Sequence, residues 1–191
     1  MDPRTTWLLA ALFVLVPATG GHAATTPREL HGKSLVVSWT EVRNQTYPDG
    51  TKTHPTVRTA FTIYFSDTGR RFVKSARLTL DSRGNELYAT AHSKAPGGDI
   101  IKTSNSRYFP TGRFVGRSFV STVQYESGAR QVTATFDEGF RNCTLAFSHG
   151  KESGAPGLVM RGSNGKLLML TSIEVSASSC VVRDGNAFTD Q

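Results

Sequence analysis

The chain has 191 residues, 38% hydrophobic and 19% charged, which excludes a disordered polyelectrolyte and a coiled coil and leaves room for one domain with a real core. Eighteen glycines and 11 phenylalanines, with many Ser, Thr and Val, favour short strands joined by tight turns over helices. The formal net charge of +7 is concentrated: residues 58–117 hold 11 Lys/Arg against Asp67, Asp81, Glu86 and Asp99, a local excess of +7. Such a section suits an anionic partner, or a solvated face that keeps a monomer soluble.

Residues 1–23 read as a secretory signal peptide. Trp7 to Val16 is an apolar run too short to span a bilayer, Pro17 breaks it, and Gly21-His-Ala23 supplies small residues for cleavage. The expectation is a mature chain, residues 24–191, without a transmembrane segment and outside the cytoplasm, either periplasmic or extracellular. Lys33 to Arg43 is the first strand, with Leu35, Val37 and Trp39 on one face and Ser34, Ser38 and Thr40 on the other. Residues 44–56, with Pro48-Asp-Gly50 and His54-Pro55, read as a loop.

Val57 to Phe65 alternates with Val57, Phe61, Ile63 and Phe65 inward. Asp67-Thr-Gly69 turns the chain into Arg71 to Leu80, whose apolar parity is Phe72, Ala76, Leu78 and Leu80, with Lys74 as the flaw. Glu86 to His92 follows as a further strand. Residues 93–113 lose all periodicity and are rich in Gly, Pro, Ser and Lys/Arg, the character of a functional loop. Phe114 to Tyr125 then reads as one strand, and Gln131 to Phe136 as another with Val132, Ala134 and Phe136 on one side.

The last section is bracketed by the two cysteines. In an exported chain Cys143 and Cys180 have only each other, so one disulfide is expected across a separation of 37 residues. Asp137-Glu138 is a bend-capping pair rather than an acid–base pair, because adjacent strand residues point apart. Leu158 to Arg161 and Lys166 to Leu170 flank Asn164-Gly165 as a hairpin, and Ile173 to Asn186 is polar and β-prone. The fold expected is one all-β domain, an antiparallel barrel-like or sandwich domain of about 8–10 strands with one disulfide.

Chemistry is sparse. Gly162-Ser163-Asn-Gly165 is not a nucleophile elbow, and His31, His54, His92 and His149 lack metal-ligand spacing. No catalytic, metal or cofactor residues are assigned. The basic, aromatic-bearing stretch is the candidate binding surface: Lys94, Lys102, Arg107, Tyr108, Arg113 and Arg117 would meet an anionic glycan, a lipid headgroup or an acidic protein. Nucleic acid is a poor target for an exported protein. A non-enzymatic binding module is therefore the leading expectation. A lipocalin-like carrier of a small apolar ligand and a hydrolase assembled from distant loops are the alternatives.

Overall fold

In β1 (Lys33–Thr46) every second side chain from Leu35 to Gln45 is buried, and the fold is built along that line. The computed structural model describes residues 25–94, 111–125, 128–148, 158–161 and 165–188; the expected signal peptide lies outside them. A 3-10 turn, Arg28–Leu30, leads into β1. Then come β2 (Lys52–Thr53), β3 (Thr56–Phe65), β4 (Arg71–Leu80), β5 (Glu86–Lys94), β6 (Thr111–Val115), β7 (Ser118–Tyr125), β8 (Gly128–Phe136), β9 (Cys143–Ser148), β10 (Leu158–Arg161) and β11 (Leu167–Asp184).

The strands form an all-β domain, a curled and partly open antiparallel half-barrel. One sheet runs β10-β11-β1-β3-β4-β5, with β2 beside β1, and a second runs β6-β7-β8-β9. The Cys143–Cys180 disulfide joins them along one seam, reinforced by an Asn142–Val181 bridge. At another point Arg71 donates from Nη1 to the carbonyl of Gly112, linking β4 to β6.

The core fills the space between the sheets. Leu35, Val37 and Trp39 of β1 and Phe61, Ile63 and Phe65 of β3 meet Phe114, Phe119, Val132, Ala134 and Phe136. Phe65 stands 5.7 Å from Phe114 and 6.4 Å from Phe119, ring centre to ring centre, so aromatic packing binds one sheet to the other. Each such fully buried side chain stabilises the fold by roughly 1.5–3 kcal/mol. Leu158, Met160, Leu168 and Leu170 form a smaller second cluster under the β10–β11 hairpin.

Five sequence expectations change. Residues 114–125 are a hairpin, β6–β7, because Gly116 takes φ +57° and Val115 pairs with Ser118. Glycine at the first central position suits a two-residue hairpin turn, and Arg117 is the second turn residue. Within 44–56, β1 runs on to Thr46 and pairs with β2. Part of the irregular 93–113 stretch is extended: β5 ends at Lys94 and β6 begins at Thr111.

The fourth concerns β4. Register pairs Ile63 with Val73 and Phe61 with Ser75, so Val73, Ser75, Arg77 and Thr79 share the inward face. Phe72, Ala76, Leu78 and Leu80 face outward. β11, finally, is one strand of 18 residues with two irregularities in its pairing to β1, between Thr40/Glu41 and between Asn44/Gln45. The extra residue at each is held by its own hydroxyl: Ser176 donates to the Thr40 carbonyl at 3.3 Å and Thr171 to that of Asn44 at 3.2 Å.

Candidate functional site

The outward apolar parity of β4 has a consequence on the outer face of the larger sheet. Register aligns Ser179, Ser38, Ala60 and Ala76 in one row across β11, β1, β3 and β4. Ala177, Thr40, Arg58, Leu78 and Ala89 form the next row, which reaches β5. Short side chains in the first row leave a trough of about 740 Å³ with mostly apolar walls, a size in the usual range for small-molecule sites. Arg58 stands in the middle of the second row, exposed and without an acidic partner among the described residues. Its guanidinium is an exposed positive charge in a lining of mostly small side chains that also includes Arg77.

The inner face carries a different arrangement. Glu41, Arg43 and Arg130 are the buried charged residues among those described. Glu41 accepts from Trp39 Nε1 at 3.1 Å and from the guanidinium groups of both Arg43 and Arg130. Arg43 Nη1 reaches Met160 Sδ at 3.9 Å, and the Arg130 guanidinium lies 5.3 Å from the centre of the Phe147 ring. The group thus touches the main core through Trp39 and the smaller one through Met160. Burial by itself would raise the Glu41 pKa, but the charges of Arg43 and Arg130 and their hydrogen bonds outweigh it and lower it to about 2.

The sequence-based site residues fall as follows. Lys102, Arg107 and Tyr108 lie outside the described residues, as does His149. Lys94 closes β5, while Arg113 on β6 and Arg117 in the β6–β7 turn are exposed. Arg117 stands 3.8 Å from Glu138, an exposed pair of little energetic weight. The Cys143–Cys180 disulfide is present. Asp137 caps its bend, accepting from the Arg141 backbone N–H at 2.8 Å and from Asn142 Nδ2 at 2.7 Å.

Neither the trough nor the buried charges were named from the sequence. A signal for the second exists: Glu41 and Arg43 continue the inward parity of Leu35, Val37 and Trp39, and Arg130 that of Val132, Ala134 and Phe136. Among the described residues no three His, Cys, Asp or Glu side chains gather as a metal-binding group. Comparison of the chain with protein-family models, with curated proteins and with solved structures finds no match.

Proposed function

We propose that the chain is an exported, non-enzymatic binding module that holds an anionic ligand with an apolar body in the outer trough. The observation that carries this is the reversed parity of β4, which spends Ala76 and Leu78 on an exposed apolar surface with Arg58 at its centre. A largely apolar concavity with an exposed cation in its wall binds by burying the ligand body and orients it through the charge. This reading joins two sequence-level ideas, the anionic partner and the apolar ligand, at one place. Export is supported by the apolar run of residues 7–16 and by the disulfide, which persists in oxidising compartments.

The test is a fluorescence titration with anilinonaphthalene sulfonate, an anionic aromatic probe, on the oxidised protein. Saturable enhancement that disappears in Ala76→Phe, which fills the trough, and weakens in Arg58→Gln supports the reading. Enhancement unaffected by both variants, with circular dichroism unchanged, refutes it.

A further inference from the structure

The outer trough changes character at β3. On its β11–β1 side the two rows carry hydroxyls, Ser179 and Ser38 in the first and Thr40, beside Ala177, in the second. On its β4–β5 side the same rows carry hydrocarbon, Ala76 in the first and Leu78 with Ala89 in the second. Arg77, also in the lining, belongs to the inward parity of β4. Arg58 stands on the dividing strand. Its direct cross-strand neighbours are Thr40 on one side and Leu78 on the other, with Cβ atoms about 4.5–5.5 Å away.

Among the described residues, the hydroxyls of Ser38, Thr40 and Ser179 have no hydrogen-bond partner and Arg58 has no ion-pair partner. Five strands about 4.8 Å apart make the trough floor about 19 Å across, with Arg58 near the middle and about 10 Å to either side. An anion that fills the trough therefore carries its charge within its length. A carboxylate or a phosphate monoester ends a chain, with carbon on one side only. A phosphodiester has a single negative charge with carbon on both sides, and its two free oxygens suit a planar guanidinium. The hydroxyl half calls for a substituent that both donates and accepts hydrogen bonds, and the hydrocarbon half for an apolar chain.

We propose, resting on the trough as the binding site, that its ligand is a phosphodiester amphiphile. The phosphate sits on Arg58, a small polyol lies over Ser38, Thr40 and Ser179, and the apolar chain lies over Ala76, Leu78 and Ala89.

The experiment is isothermal titration calorimetry of the oxidised protein with three probes below their micellar concentrations. Dihexanoyl phosphatidylglycerol carries all three parts, dihexanoyl phosphatidylmethanol keeps the phosphodiester but has no head hydroxyls, and decanoate ends in its charge. The expected result is tightest binding of phosphatidylglycerol, by on the order of tenfold over phosphatidylmethanol, the worth of one or two net hydrogen bonds. Ser38→Ala combined with Ser179→Ala removes that preference, and Arg58→Gln weakens both lipids. Equal affinity for the two lipids overturns the polyol assignment and the proposal with it, as does a preference that survives the double serine change. Decanoate bound as tightly as phosphatidylmethanol overturns the phosphodiester. Failure of both lipids while anilinonaphthalene sulfonate still binds in the trough overturns this ligand class alone, whereas failure of every probe overturns the trough as the binding site too.

Discussion

Arg130 on β8 donates from Nη1 to the carboxylate of Glu41 on β1, an ion pair between residues 89 positions apart that crosses the interior from one sheet to the other. Both partners are almost wholly buried, and Arg43 completes the group from the same strand as Glu41. Buried ion pairs are poor net stabilisers when weighed against apolar replacements, but removing one partner strands the others. Here loss of the Glu41 carboxylate takes an ionic partner from two buried cations at once.

Glu41→Gln is therefore expected to destabilise the protein by roughly 3–5 kcal/mol. Urea unfolding of the oxidised protein at neutral pH measures it. A change below about 1 kcal/mol would mean that the two guanidinium groups are compensated elsewhere.

The same carboxylate gives the pH dependence. Its pKa is depressed in the folded state, to about 2 from an ordinary 4.5. Its contribution, on the order of 3 kcal/mol, is fully present above the ordinary value and is lost as pH falls from about 4.5 towards 2. Unfolding curves between pH 5 and 2 should show this decline, and Glu41→Gln should flatten it. Some slope will persist, because hydrogen bonds from Asn85 and its backbone N–H lower the Asp81 pKa, and those from the Arg141 backbone and Asn142 lower that of Asp137.

Gly112 has no room for a side chain. A Cβ placed there would meet the Phe119 ring at 1.8 Å, and Arg71, whose guanidinium lies 5.9 Å from that ring's centre, donates to the Gly112 carbonyl. Gly112→Ala should cost about 1–3 kcal/mol by overpacking. Combining it with Phe119→Leu should cost less than the sum of the two single changes, which a double-mutant cycle reads directly.

Reduction of Cys143–Cys180, or its replacement by a pair of serines, should lower stability by about 3–4 kcal/mol on the chain-entropy model. The separation of 37 residues sets that figure. Equilibrium unfolding with and without a reductant compares the two states, and equal midpoints would show that the seam is held by packing alone.

Much of the fold was legible because two-residue periodicity survives wherever one face is buried. β1, β3 and β8 show it, and their inward residues are those expected. β4 misled because its apolar parity serves the outer face, so a rule that equates apolar with inward points the wrong way. In β11 the apolar series Leu168, Leu170, Ile173, Val175 moves by three between Leu170 and Ile173, where the chain bulges against Asn44/Gln45. That skip broke the periodicity and split one strand into two segments on paper. The buried charges escaped notice because a charged residue at an inward position looks like the end of a strand, and only a distant partner such as Arg130 makes it a continuation. The trough is a property of register across β11, β1, β3, β4 and β5, which no single segment encodes.

The central claim is that the outer face of the larger sheet is the binding surface. The most direct measurement is a titration of ¹⁵N-labelled oxidised protein with decanoate, a carboxylate on an apolar chain, followed by backbone amide shifts. The account expects saturable shifts centred on Ser38, Arg58, Ala60, Ala76 and Ser179, reduced in Arg58→Gln. Shifts confined to the Arg113–Arg117 hairpin, or none at all, would contradict it.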